Sequence, residues 1–345
     1  MAPTAGHGGP PRLRQRIPVK VLLANDTGRV PHLGCKAVSD AHARLLGRCG
    51  HEVAHRRFLE PTPATEVTTD DAQVRLLEAD EHLTACIDDV DAVIVNGEGT
   101  LHHGAGRHLL ALLALAQRRH KATLLVNAVF QDTTGFDETL QNLDDFTVRD
   151  AWSLHHATAR GFAARMVPDS YFAAGFSGHP HPLAGDVVTD WHWQRGDVGA
   201  ALERYAQDRS TAFLPFVTPS ADTLWPGVPG NLATARVVLT ARHHGVCAAI
   251  LAGRPFVAMP SNSFKIEGLL LALGLTNLLA TDYDSLLRAR DWAVDHEELF
   301  ASLLDRLTGG EPLTTFRRLG ISAANHEDLE VVRLAEDLRR PAAGA

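Results

Sequence analysis

The segment "ARVVLTARHHGVCAAILAGRPFVAMP" (residues 235–260) runs from an apolar β-branched stretch through a polar turn into a small-residue helix and out into a second apolar stretch. The run "VVLTA" is too short and too continuously apolar for an amphipathic helix, and fits a strand buried on both faces, as parallel sheets require. "GVCAAILAG" has helical length, and "PFVAMP" supplies the next strand. Strand, helix and strand in that order form a crossover unit whose strands lie parallel. The segment therefore predicts an α/β fold.

Working outward, the same order recurs. Lys20–Asn25 reads as a strand and Ser39–Gly50 as its helix; Ala92–Val95 is followed by a loop, a helix from Arg107 to His120, and a strand at Ala122–Val126. Phe146–Arg149, a helix closed by Gly161, and Ala163–Val167 repeat the pattern. Gly175–Asp186, rich in Gly, Pro and His, interrupts it. Strands then return at Val187–Trp193, Thr211–Val217, Ala235–Ala241 and Pro255–Pro260, with helices at Val198–Gln207, Gly245–Leu251 and Ile266–Leu273. The expected architecture is α/β, with two Rossmann-like domains whose parallel sheets face a cleft, a GT-B-like arrangement. Its expected parts are a disordered tail at 1–18, a first domain at 19–176, a linker at 177–186 and a second domain at 187–325. A helix at Glu327–Arg339 is expected to pack back across the first domain.

Bulk properties narrow the function. The 345 residues exceed what one hydrophobic core fills, and 45% apolar with 21% charged residues is ordinary for a globular protein. A net charge of -8 without a basic stripe argues against nucleic acid. Cys35, Cys49, Cys86 and Cys247 form no C-x-x-C pair and read as small core residues in a reducing compartment. No apolar run reaches membrane-span length, so a cytoplasmic protein is expected, with peripheral membrane contact still compatible.

Parallel sheets place ligands beyond the carboxyl ends of their strands. Arg242 and His244 fall there, flanking the helix opened by Gly245, and "SNSFKIEG" puts Ser263 and Lys265 at the start of a further helix. Helix N-termini carry partial positive charge and unpaired N–H groups, so these residues describe an anion site. Surface charges at loop ends would explain any one of them; three cationic groups on one sheet edge weaken that explanation. His243 points to a different face from His244 and is expected to pack or meet solvent. The loop "NGEGTLHHG" (residues 96–104) also follows a strand, and its glycines suit backbone approach to a sugar or anion, or simply a tight turn. Adjacent histidine pairs at 102–103, 155–156 and 243–244 lack metal-ligand spacing, so no metal is expected. "DWHWQR" (residues 190–195) offers two tryptophans that a sugar face could use, although two on one side of a strand are more often core.

Four ordered blocks together resemble the polysaccharide pyruvyl transferase family: "VLLANDTGRVPHLGCKA", "AVIVNGEGTLHH", "FTVRDAWSLHHATARGFAARMVPDSYF" and "TARHHGVCAAILAGRPFVAMPSNSFKIEG". The resemblance implies transfer of the pyruvyl group of phosphoenolpyruvate onto two hydroxyls of a sugar, forming a ketal and releasing phosphate, with no cofactor beyond that donor substrate. It implies a sugar or glycan acceptor, free or lipid-linked, on the first domain and the donor on the second. Arg242 and His244 match the family's R-x-H-G, Arg149 its V-R-[DE] string and Lys265 its late lysine. Arginine suits bidentate capture of carboxylate or phosphate, and His244 is the expected acid for the methylene carbon. Glu98, with Asp26 as second candidate, is expected to act as base, and Asn96, Gly97, Thr100 and His102 to line the acceptor side. The glycine run usual in the second block is interrupted here by Glu98, and the first block has His32, Leu33, Cys35 and Lys36 where the family differs. Two alternatives stay open: a GT-B glycosyltransferase using a nucleotide sugar, with Glu267 as a ribose-binding carboxylate, and a non-catalytic glycan-binding relative.

Overall fold

A computed structural model describes residues 17–60, 69–177, 181–217 and 224–319. The expected N-terminal tail, apart from Ile17 and Pro18, and the expected helix at Glu327–Arg339 lie outside these residues.

The first sheet holds β1 (Lys20–Asp26), β2 (Glu52–Phe58), β3 (Ala92–Asn96), β4 (Ala122–Ala128), β5 (Asp145–Val148) and β6 (Ala164–Met166) in the order β2-β1-β3-β4-β5-β6, all parallel. The second holds β7 (Gly185–Thr189), β8 (Ala212–Leu214), β9 (Ala235–Thr240) and β10 (Phe256–Ala258) in the order β10-β9-β7-β8, again parallel. The helices of the first half are α1 (Leu33–Arg48), α2 (Asp70–Glu78), α3 (Glu81–Asp88), α4 (Arg107–Arg118), α5 (Asp137–Gln141) and α6 (Ala151–Ala159). Those of the second are α7 (Gly196–Arg209), α8 (Val228–Leu232), α9 (His243–Leu251), α10 (Lys265–Leu273), α11 (Tyr283–Asp295) and α12 (Leu303–Thr308). No helix among the described residues is long and apolar enough to cross a membrane.

Each sheet reverses its winding once. The chain moves one way from β1 to β2 and the other from β3 onward, and the second sheet does the same between β7 and β9. Such switch points open a crevice at the strands' carboxyl ends, where open α/β sheets bind ligands. The strands there are apolar on both faces because helices cover both. Val93 and Val95 of β3 pack into one layer with Leu110, Phe130 and Phe146, while Ala92 and Ile94 face the other with Leu45 and Leu46 of α1. That alternation is the period-2 signature of a strand.

The two halves are not separate bodies joined by a tether. Leu33, Ala37 and Val38 of α1 and Tyr171, after β6, belong to the same apolar cluster as Val238, Val246 and Ile266 of the second half. The chain also crosses back earlier than position 326: Phe316 and Leu319 are buried against Val21, Leu23 and Leu124 of the first sheet.

Several expectations need correction. Helix α1 starts at Leu33, six residues before Ser39, because the His32 ring caps it, Nδ1 accepting from Gly34 N at 3.0 Å. Strand β7 begins inside the expected linker and ends at Thr189. Asp190 leaves the strand because its carboxylate accepts the Phe216 and Val217 amides at 2.9 and 3.1 Å. The two tryptophans therefore part company: Trp191 packs partly buried on the second core, and Trp193 is 81% exposed. Of the four cysteines only Cys247 is fully buried.

Candidate active site

At the first switch point the backbone of β1 ends with Asn25 in the left-handed region, φ 56°, which only a residue able to bond locally adopts readily. Its side-chain amide donates to Asn96 O at 2.6 Å and Thr100 Oγ1 at 3.0 Å, tying the ends of β1 and β3 together. Glu98 sits on this frame. Its Oε2 accepts from Thr27 Oγ1 at 2.8 Å, its backbone N–H donates to Asn96 Oδ1 at 3.2 Å, and its carbonyl accepts from Thr100 Oγ1 at 2.8 Å. Asn96 and Thr100 thus hold the loop, and Glu98 is the carboxylate the loop presents. Gly97 answers a packing demand, since a Cβ there would stand 2.5 Å from Ala128 Cβ. His102 Nε2 lies 2.9 Å from Gly99 O, and burial, then the charge of Lys265, pushes its pKa down to about 4, so it is neutral.

Asp26 faces away from the junction. Its carboxylate accepts from Ser39 Oγ at 2.5 Å, Gly28 N at 2.9 Å and Arg56 Nη1 at 3.0 Å, all within the first domain. These bonds engage both of its carboxylate oxygens within the first domain.

At the second switch point Thr189 and Thr240 share a hydroxyl bond of 2.6 Å, and Thr240 Oγ1 accepts the Arg242 amide at 3.0 Å. Arg242 is the N-cap residue of α9 and His244 its second residue, so the helix begins two positions before the Gly245 expected to open it. Gly245 lets α9 approach β9, because a Cβ would meet Thr240 Oγ1 at 2.2 Å. The Arg242 guanidinium donates to Asp190 Oδ2 at 2.9 Å and to Trp191 O, and its Nε is buried without a partner among the described residues. Lys265, half-buried at the start of α10, donates to Asn262 Oδ1 at 2.6 Å. Burial, then repulsion from Arg149 and Arg242, lowers its pKa to about 7. Ser263 beside it has a buried hydroxyl with no partner among the described residues.

The switch points meet at His244. Its ring stacks on Tyr171 at 5.3 Å and 17°, and lies edge-on to His32 at 5.6 Å. Gly34 of α1 abuts it so closely that a Cβ would be 2.1 Å from Nδ1. The remaining nitrogen, Nε2, points at carboxylates from the first half, Glu98 Oε1 at 3.5 Å and Asp169 Oδ2 at 3.6 Å, and makes no hydrogen bond among the described residues. A buried ring nitrogen left without a partner carries a desolvation cost that a bound group would relieve.

Asp169 gathers the groups around it. Oδ2 accepts from Arg149 Nη1 at 2.6 Å and lies 3.0 Å from His243 Nε2, and Oδ1 accepts the Tyr171 amide at 2.8 Å. Burial would raise its pKa; the Arg149 charge and the His243 bond overcome this and hold it well below the usual carboxylate range. His243 is pushed down to about 3 by burial and by Arg149, so it is neutral and donates to Asp169. It is buried, not solvent-facing, and its role is to brace the carboxylate. Asp169, His243 and Cys247 bring three donor atoms within 4.8 Å of one another. The set does not suit a metal ion. Asp169 already holds a guanidinium, and burial drives the Cys247 thiol well above its ordinary range.

The geometry thus unites Glu98 and His244, with Arg242 and Lys265 close enough to affect one another and Arg149 behind them in the Asp169 pair. The sequence reading gave no site role to His32, Gly34, Asp190, Tyr171 or Asp169. Only Asp169 carried a local signal, the Pro-Asp after β6.

The sequence pattern of the polysaccharide pyruvyl transferase family matches residues 32–263. No curated protein matches the chain by sequence. A solved structure from Listeria monocytogenes, assigned as a UDP-N-acetylglucosamine 2-epimerase, superposes with a TM-score of 0.54 at 13% identity, covering 85% of this chain and 92% of that one. The UDP-GlcNAc 2-epimerase of Methanocaldococcus jannaschii, solved with UDP-GlcNAc and UDP, gives 0.51 at 11% identity, with 84% and 99% covered. These likenesses establish the two-sheet GT-B-like fold. With the family pattern running from the cap of α1 through Glu98, Asp169 and His244 to Ser263, the chain belongs to the polysaccharide pyruvyl transferase family and is a transferase.

Proposed function

We propose that the protein transfers the pyruvyl group of phosphoenolpyruvate onto two hydroxyls of a glycan, forming a cyclic ketal and releasing phosphate. The observation that carries this reading is His244 Nε2, buried with no hydrogen bond among the described residues and 3.5 Å from Glu98 Oε1, while the cations Arg242 and Lys265 of the second half lie close enough to act on the neighbouring His32 ring. A small polyanion satisfies what these groups lack. Its phosphate and carboxylate would take the free Nε of Arg242, the Ser263 hydroxyl, the Lys265 ammonium and the N–H groups at the starts of α9 and α10. Arg149 contributes through Asp169, fixing the charge behind the histidines.

The reaction needs a proton on the methylene carbon while an acceptor hydroxyl adds to the phosphate-bearing carbon. His244 Nε2 gives that proton, and Glu98, 3.5 Å away, takes the one lost by the attacking hydroxyl. Proton passage from Glu98 to His244 then resets the pair. Departure of phosphate and attack by the second hydroxyl, whose proton leaves with phosphate or to water, complete the ketal. Atoms balance without an oxidant or cofactor.

A nucleotide-sugar transferase is the second reading. It draws on Glu267, whose Oε2 is buried without a hydrogen-bond partner among the described residues at the start of α10 and whose pKa burial raises. Thermal unfolding with each ligand separates the two. Stabilisation by phosphoenolpyruvate and not by UDP-sugars is expected; the reverse pattern would overturn the pyruvyl transfer reading.

A further inference from the structure

Trp193 has no place in either core and none in the donor site. It is the most exposed large apolar side chain among the described residues, at 81%. We propose that its indole is a stacking platform for a pyranose ring of the glycan acceptor, on the second-domain rim of the cleft; this rests on the transfer reaction proposed above.

The exposure is not that of a loose segment. Asp190 is fixed by two backbone amides and by Arg242, and Trp191 lies over Gly199, where a Cβ would stand 2.3 Å from the indole Nε1. Arg195 N donates to His192 O at 2.8 Å, closing a turn around Trp193. The Arg195 guanidinium grips Asp197 at 2.9 and 2.7 Å and reaches Ser261 O at 3.2 Å. A turn anchored at both ends therefore holds the indole out into water; one exposed aromatic is ordinary in itself, and its place in the fold is what distinguishes this one.

The location says what covers it. The loop follows β7 at the second switch point, and its own residues Asp190 and Trp191 hold the Arg242 clamp. Ser261, which Arg195 touches, begins the segment that carries Ser263 and Lys265. Across the cleft that segment meets the first domain, where His103 Nε2 lies 2.9 Å from Asn262 O. His192, whose ring centroid is 5.7 Å from that of Trp193, is close enough to Lys265 and Arg242 to feel their charges. Trp193 thus stands on the loop that holds the Arg242 clamp, on the second-domain side of the anion site. A pyranose presents one face of C–H groups, which the electron-rich face of an indole covers without needing a particular hydroxyl pattern. In a polymeric acceptor, the sugar next to the reacting one would lie on that rim.

The test uses the full-length protein without donor, applied to a panel of immobilised oligosaccharides of glucose, galactose, mannose and N-acetylglucosamine. The wild type is expected to retain at least one glycan, Trp193→Ala to lose at least tenfold in affinity for it, and Trp193→Phe to keep part. In turnover, Trp193→Ala should raise the acceptor KM at least tenfold and leave the phosphoenolpyruvate KM within twofold. Equal retention by wild type and Trp193→Ala, retention of nothing by the wild type, or loss only of UDP-sugar binding would each overturn the platform. Trp193-dependent glycan retention with no phosphate released from phosphoenolpyruvate would support it, and would sink the transfer reaction instead.

Discussion

Replacing Gly34 by alanine inserts one methyl where the two domains touch at His244. The new Cβ would lie 2.1 Å from Nδ1, 2.3 Å from Cγ and 2.5 Å from Cβ of that ring. Because the contact reaches the ring's own Cβ, rotation about χ cannot relieve it. Tyr171 stacked on one side and His32 edge-on leave no empty rotamer. Either the ring or the start of α1 must retreat by about 1 Å, a displacement that costs on the order of 100-fold in rate when it misplaces a catalytic group. Stability falls by up to about 2 kcal/mol, the difference of two opposing terms. Overpacking costs roughly 1–3 kcal/mol, while alanine in a helix gains about 1 kcal/mol over glycine. Gly47, in the same helix with nothing within 4 Å of an added Cβ, is the control, and its alanine variant should show only the gain. The assay is single-turnover phosphate release from phosphoenolpyruvate with thermal unfolding of the same samples. Gly34→Ala with turnover within twofold of wild type would refute the claim that His244 acts from this clamped position.

Other consequences follow from the charges. Lys265 has a pKa near 7 in the free protein and is charged when an anion binds, so above about pH 7 binding takes up a proton. The Kd for phosphoenolpyruvate should rise up to tenfold per pH unit between pH 7 and 9, above the donor's own phosphate ionisation near 6, and Lys265→Arg should flatten the profile in calorimetric titrations. Asp169→Asn leaves Arg149 buried without its countercharge and His243 without its acceptor, and should cost about 3–5 kcal/mol in urea unfolding along with most of the turnover. His42 and His243 have pKa values lowered to about 4 and about 3 by burial, so their neutral forms stabilise the fold above the unfolded histidine value. That contribution is lost as pH falls from about 6.5 toward 4, at up to about 1.4 kcal/mol per pH unit for each; unchanged unfolding free energy between pH 7 and 4.5 would contradict it.

What the sequence made legible was decided by burial. Central parallel strands are covered on both faces, so "KVLLAN", "AVIV" and "VVLTA" stood out as continuous apolar runs. β2, "EVAHRRF", lies at the sheet edge with none of its residues fully buried, and its charges hid it. The start of α1 was hidden because a histidine does the capping that serine, threonine, aspartate or asparagine usually do. In the site, Arg242, His244 and Glu98 could be located because strand-end loops are where sheets of this kind bind ligands. The bracing of His243 by Asp169 spans 74 residues of chain and has no local signature. Nor could alternation separate Trp191 from Trp193, since the bend at Asp190 ends the strand on which alternation would operate.

The most direct measurement supplies phosphoenolpyruvate labelled with carbon-13 at its second carbon, together with glycan acceptors, and follows the label by NMR beside a phosphate assay. Pyruvyl transfer predicts one phosphate released for each label that appears as a ketal carbon bonded to two glycan oxygens, with both signals lost in His244→Gln. Phosphate released without a ketal, or a ketal formed at wild-type rate by His244→Gln, would contradict it.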